Sequence, residues 1–166
     1  MTDYQNLVIE PFRPTHDRTG FSCGVHSLDR YFQKQATQDV KRRISRVYVA
    51  TMRKAPNRVI GYYILSALSI GLNELSDEHA RKLPKHPIPA ALIGRLAVST
   101  EARGDGIGKL LLVDALKRTL AVSEEIAIYA MVVDAINERA KSFYQQFGFN
   151  ALSAGDRHLI LRLKSI

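Results

Sequence analysis

The stretch ARGDGIGKLLL, Ala102 to Leu112, constrains this chain more than any other. Glycine stands at 104, 106 and 108, and an apolar, helix-forming run follows at once. Glycine this dense costs conformational entropy, so the local backbone must need bare Cα atoms. The run IPAALIGRLAVS just before it reads as a buried strand. Strand, glycine turn and helix in that order make an anion site. Free N–H groups of the first helical turn converge there, and the helix dipole adds positive potential.

Two familiar phosphate loops fail on spacing. The dinucleotide fingerprint needs a glycine three residues after its second one, and after Gly104 and Gly106 that place is Lys109. The nucleotide P-loop needs four residues between its glycines and then Ser or Thr for magnesium. Gly104 and Gly108 enclose only three, and Leu110 follows Lys109. The loop is therefore expected to hold a phosphate without a metal ligand.

The rest of the chain predicts one α/β layered domain over residues 1–166, without repeats or linkers. LVIEPF is a first strand, and Ser27 an N-cap for a helix turning Leu28, Tyr31, Phe32 and Gln35 to one side. SRVYVAT and VIGYYILSALSI form a hairpin around RKAPNR. LSDEHARKLP reads as a short helix capped by Ser76. A helix from Gly106 to about Val122 places Ile107, Leu110, Leu111, Val113, Leu116 and Leu120 at helical spacing. The strand IAIYAMVV, the helix NERAKSFYQQF and the strand RHLILRL complete the order.

Charge narrows the partners. The formal net charge is +8. Between Arg30 and Arg58 lie Lys34, Lys41, Arg42, Arg43, Arg46, Arg53 and Lys54 against Asp39 alone, and HARKLPKH adds Arg81, Lys82 and Lys85. Such a field suits a polyanion, although solvated faces have the same composition. No apolar run reaches a membrane-spanning length, and MTDYQNLVIE lacks the features of a signal peptide. The single cysteine, Cys23, fits a reducing cytoplasm and reads as a small packing residue.

The pattern Arg103-Gly104-Asp105-Gly106-Ile107-Gly108, with GRLAV before it and FYQQFGF in the following strand–helix unit, resembles the GNAT superfamily of acetyl-CoA-dependent N-acetyltransferases. The resemblance runs from FSCGVHSLDRYF onward. It implies a mixed, mostly antiparallel central sheet with helices on both faces and a splayed strand pair for CoA. It assigns the CoA pyrophosphate to Arg103, Gly104, Asp105, Gly106, Ile107 and Gly108, with the Asp105 side chain turned outward. The pantetheine arm falls to the exposed backbone of Leu96, Ala97 and Val98. Asn137 stands where the family often adds a CoA contact, and it also reads as an N-cap.

Acetyl transfer to an amine needs a proton for the departing thiolate. Tyr144 occupies the family's place for that acid, and a tyrosine pKa of about 10 is near that of a thiolate. In KSFYQQFGF, Phe143 and Phe147 share one helix face, expected to be the core face. Tyr144 is rotated roughly 100° from it, toward a boundary position. A packing tyrosine would satisfy the same pattern. Glu74, Glu78 and Glu101 carry no placement signal for a general base. An α-amine, with a pKa near 8, needs little help to lose its proton, whereas lysine near 10.4 needs much.

FSCGVHSLDRYF, GRLAV, RGDGIG and FYQQFGF together, in a small basic chain, resemble the GNAT toxins of bacterial toxin–antitoxin pairs. That resemblance implies acetylation of the α-amine of aminoacyl-tRNA, a homodimer, a ribbon-helix-helix antitoxin and a bacterial cytoplasmic site of action. Arg42, Arg43, Lys85 and Arg95 are the candidate RNA contacts. The alternatives are a GNAT enzyme of a small-molecule or protein amine, and a non-catalytic RNA- or CoA-binding module.

Overall fold

A computed structural model describes residues 4–71, 87–152 and 157–165. The capped helix expected at LSDEHARKLP, with Glu74, Glu78 and Lys85, lies outside the described residues. The strands are β1 (Leu7–Pro11), β2 (Arg46–Met52), β3 (Gly61–Ile70), β4 (Ile88–Val98), β5 (Ala130–Asp134), β6 (Asn150–Ala151) and β7 (His158–Arg162). They form one seven-stranded sheet in the order β1-β2-β3-β4-β5-β7-β6. The helices are α1 (His26–Lys34), α2 (Ala36–Lys41), α3 (Ile107–Ser123) and α4 (Glu138–Gln145). β4 pairs with β5 in parallel, while β1–β2, β2–β3, β5–β7 and β6–β7 are antiparallel. The expected mixed α/β sheet is present.

The chain divides into two compact units, Met1–Leu65 with Arg95–Lys117 and Ser66–Gly94 with Arg118–Ile166. In the first, an aromatic cluster fills the core. The Phe32 ring stacks on Tyr62 with centroids 4.7 Å apart, and Phe21 meets Phe32 edge-on at 5.4 Å. Leu28, Tyr31 and Phe32 are the buried face of α1, as their spacing predicts, but Gln35, expected on the same side, is the exposed C-cap beyond the helix. Ser27 is not the cap. The helix begins at His26, two residues earlier than a Ser27 cap would start it, and Val25 at its N-cap makes no side-chain bond.

α3 lies close over β3 in the same unit: a Cβ on Gly61 would meet Leu111 Cδ1 at 2.9 Å and the Ala97 carbonyl oxygen at 3.1 Å. Its fully buried apolar positions are Ile107, Leu111, Leu112 and Ala115. Leu110, Val113, Leu116 and Leu120, equally apolar, are only half-buried. With apolar residues on every side and Lys109, Asp114, Lys117 and Arg118 set among them, the helix does not declare its inner face by periodicity.

The second unit is built on Ile70, Ile88, Ala90, Ala130, Val132, Leu152 and Ile160. Here α4 corrects the sequence reading. Tyr144 is its buried residue, while Phe143 and Phe147 are half-buried and stack edge-on with each other at 5.2 Å. The chain turns back after α4, and the buried Phe149 ring packs on Tyr144 with centroids 5.8 Å apart. That contact, made by a residue beyond the helix, draws the Tyr144 face inward.

Candidate active site

The glycine loop has the backbone its composition predicts. Gly104 and Gly106 take φ values of +82° and +78°, in the left-handed region that side chains disfavour. A Cβ on Gly104 would meet nothing within 4 Å, so the dihedral and not crowding demands glycine there. The Gly106 carbonyl accepts the first helical bond, from Leu110 N–H at 3.2 Å. The N–H groups of Ile107, Gly108 and Lys109 thus open α3 ahead of that bond, the arrangement that receives an anion.

β4 leads into this loop with one edge released. Its parallel ladder to β5 runs from Ala90↔Ala130 to Ile93↔Val133 and stops, whereas β4 continues to Val98. Leu96, Ala97 and Val98 lie in the continuation, where an extended chain can add itself as a strand.

Arg103 has a different task from the one its position suggested. Its guanidinium donates a short hydrogen bond to the Cys23 carbonyl. Thr100 N–H donates to the Ser22 carbonyl at 2.9 Å. Together these fasten the segment before α1 to the glycine loop, leaving the backbone rather than the side chain of Arg103 for an anion. Asp105 is half-buried and lines a cavity of about 430 Å³ with Met52, Lys54, Arg58 and Ile107, among others. Glu101, also at that cavity, pairs with Arg58 at the surface.

Tyr144 is 4% exposed. Burial first, and the Asp134 carboxylate second, raise its hydroxyl pKa above the usual tyrosine value, so the proton is held firmly. Among the described residues its hydroxyl has no hydrogen-bond partner. Thr119 Oγ1 is the sealed side-chain polar atom that also lacks one, and Tyr144 Oη is not sealed. A phenol with a packed ring and an open, unpaired hydroxyl is poised to meet something else. Asn137 caps α4, its Oδ1 accepting from Ala140 N–H at 2.8 Å, which leaves only its amide nitrogen to donate.

The candidate RNA contacts separate. Arg95 lies over the Tyr31 ring, 4.0 Å from its centroid, a cation–π contact that sequence reading missed. The Tyr31 hydroxyl donates to the buried Asp39 carboxylate at 2.8 Å. The Asp39 carbonyl accepts from Ile44 N–H at 2.9 Å and more weakly from Ser45 N–H at 3.4 Å. That pins the exposed turn Arg42–Ile44, in which Arg43 has a φ of +61°. One buried carboxylate residue therefore braces both Tyr31 under Arg95 and the basic turn. No local motif announced Asp39, although it is the lone acid in a basic stretch. Cys23 is buried, and its thiol is pushed up to about 11, chiefly by burial and then by Asp29, which makes it inert as a nucleophile.

Residues 43–151 match the acetyltransferase (GNAT) domain family. The chain belongs to the GNAT acetyltransferases. This acetyltransferase is 35% identical over 148 residues to the tRNA-acetylating toxin of Mycobacterium tuberculosis, covering 89% of this chain and 87% of that protein. It is 32% identical over 168 residues to the probable toxin TacT of Sinorhizobium fredii, covering 96% and 92% respectively. Among solved structures it resembles a point mutant of KacT, with a TM-score of 0.91 and 30% identity over 97% of both chains. It also resembles AtaT complexed with acetyl-methionyl-tRNAfMet, with a TM-score of 0.88 and 28% identity over 96% of both chains. GNAT enzymes use acetyl-CoA, and the acetyltransferase's glycine loop and free β4 edge suit a pyrophosphate and an extended arm. No described helix is long and apolar enough to cross a membrane. No group of three or more metal-binding side chains occurs among the described residues.

Proposed function

We propose that this acetyltransferase is a toxin that transfers the acetyl group of acetyl-CoA to the α-amine of aminoacyl-tRNA and so blocks translation. The observation that carries the reading is the 35% identity, over 89% of the chain, to a tRNA-acetylating toxin. The uneven positive charge agrees with a tRNA substrate.

In this reading Gly104 to Gly108 present backbone N–H groups to the pyrophosphate, and Leu96, Ala97 and Val98 pair with the pantetheine arm. The neutral amine attacks the thioester carbonyl, the C–S bond breaks, Tyr144 Oη gives its proton to the departing sulfur, and the proton lost by the amine nitrogen passes through solvent, which restores the Tyr144 phenol. The raised pKa of Tyr144 keeps the phenol protonated at neutral pH, so the donor form is the one present when the thiolate departs. Asn137 has its amide nitrogen left for CoA. Arg42 and Arg43 meet tRNA phosphates, and Lys85 and Arg95 are the further RNA contacts. The whole chain, 1–166, acts as one catalytic domain.

Structures of relatives include AtaT bound to the C-terminus of the antitoxin AtaR, and a KacTA–DNA complex. By analogy a cognate antitoxin restrains this enzyme. A ribbon-helix-helix form for it, a homodimeric toxin and a bacterial cytoplasmic setting belong to the same proposal. The test is incubation with labelled acetyl-CoA and total charged tRNA. Acetylated aminoacyl-tRNA is expected, and none with deacylated tRNA. Labelling of a polyamine or a peptide lysine in place of charged tRNA would overturn the reading.

A further inference from the structure

The segment Thr19–Ser22 and helix α1 enclose a cleft of about 580 Å³, lined among others by Phe21, His26, Arg30, Gln33 and Lys34. The inner face of α1 is fully committed. Leu28, Tyr31 and Phe32 are buried, and the Tyr62 hydroxyl donates to the Leu28 carbonyl at 2.6 Å. His26, Arg30 and Lys34 are left on the exposed edge, each four residues from the next, hence about 6 Å apart along the axis.

The carboxylate nearest this edge is already used. Asp29 accepts Cys23 N–H at 2.8 Å and lies 3.5 Å from the Ser22 hydroxyl. Among the described residues neither Arg30 nor Lys34 has an ion-pair partner. Like charges at i and i+4 repel along a helix, and the Asp29 carboxylate that also lines the cleft is turned to Cys23 N–H and the Ser22 hydroxyl and pairs with neither cation. A ligand with negative charges at regular intervals would do so. A lone phosphate would answer only one of the two cations and leave most of the cleft empty.

The walls are rigid and tied to the catalytic loop. The Gln33 amide donates to the Phe21 carbonyl at 3.2 Å, closing the cleft's two sides together. Beyond them, Thr100 N–H binds the Ser22 carbonyl at 2.9 Å, and the Arg103 guanidinium binds the Cys23 carbonyl. An occupant of the cleft is thereby held at a set position relative to the glycine loop.

We propose that this cleft seats the single-stranded end of the polynucleotide substrate, with Arg30 and Lys34 taking successive phosphodiesters. The proposal rests on aminoacyl-tRNA being the substrate, and it specifies which part of the RNA enters and where. Arg30 and Lys34 are positioning residues in this scheme: they bind phosphates remote from the reacting atoms, so their loss should act on KM and not on kcat.

The test is the double charge reversal Arg30→Glu with Lys34→Glu, and Arg30→Gln with Lys34→Gln as a milder pair. KM for charged tRNA should rise about tenfold or more in the reversal and less in the neutral pair, with kcat at saturation and acetyl-CoA affinity unchanged. The log–log salt dependence of tRNA binding should become shallower by about 1.4, since each single-strand phosphate contact contributes about 0.7. Wild-type enzyme that acetylates charged tRNA, beside a reversal with unaltered KM and salt slope, would overturn the seat alone. Variants that spare tRNA kinetics but escape neutralisation by the antitoxin would also overturn it, giving the cleft to a protein partner. Wild-type enzyme inactive on charged tRNA would overturn the seat and the substrate reading together.

Discussion

The backbone of Gly24 lies against the Arg103 guanidinium, where a Cβ would meet Arg103 Nη2 at 2.9 Å. The same nitrogen donates to the carbonyl of Cys23, the residue before. The glycine therefore makes room for the arginine that ties the α1 approach to the catalytic loop. Gly24→Ala should cost about 1–2 kcal/mol, because its φ of +85° also strains alanine. Arg103→Met should weaken acetyl-CoA binding without abolishing it. Denaturant titration of both single variants and the double variant checks the pairing: the two effects should fall well short of additive.

Gly106→Val should abolish acetyl-CoA binding while the protein stays folded. A branched side chain at a φ of +78° strains the loop and covers the N–H groups that open α3. Calorimetric titration with acetyl-CoA reads the result. Unchanged affinity would remove Gly106 from the site.

Tyr144→Phe keeps the ring that packs on Phe143 and Phe149 and removes an oxygen with no partner among the described residues. Stability should change by less than about 0.5 kcal/mol. The kcat should drop about a hundredfold or more, with acetyl-CoA affinity retained. A variant within a few-fold of wild type would return Tyr144 to a packing role.

Burial raises the pKa values of Tyr31, Tyr62 and Tyr144, and a hydrogen bond to Asp39 adds to the effect at Tyr31. The Cys23 thiol is raised to about 11. The folded state thus holds these protons more tightly than the unfolded chain, where Cys titrates near about 8.5 and Tyr near about 10. Their contribution to stability is complete below those values and is lost as pH rises. Urea midpoints should be level near neutrality and fall through the alkaline range. Cys23→Ala should remove the earliest part of that fall.

Reversing Arg42 and Arg43 to Glu should weaken tRNA binding and flatten its salt dependence, since both residues are exposed on a turn held by the Asp39 backbone carbonyl. Acetyl-CoA affinity should be unaltered. Filter binding of charged tRNA across a salt series separates the two outcomes.

The glycine loop was legible because its demand is local: positive φ at Gly104 and Gly106 restricts residue choice directly, whatever surrounds it. The strands were legible for a related reason, as Val47 and Val49 alternate inward with the pleat. The inner faces of α3 and α4 were not. α3 has apolar residues on every side, and Phe143, Tyr144 and Phe147 are spread over the end of α4 and the turn beyond it, so composition could not say which would be covered. Phe149 decided it for Tyr144.

The sequence by itself determined the GNAT family, the anion-binding turn, the order of the longer described elements (though not the short α2 and β6) and the excess of positive charge, because each is written in neighbouring residues. Only the tertiary structure decided what those residues touch. It turned the Arg103 side chain to the Cys23 carbonyl, laid Arg95 on Tyr31, and made Asp39 a buried brace for Tyr31 and the basic turn. The physical reason is that such contacts depend on which distant backbone and ring surfaces arrive beside a side chain. A hydrogen bond between residues 80 positions apart leaves no periodicity, spacing or propensity along the chain from which it could be read.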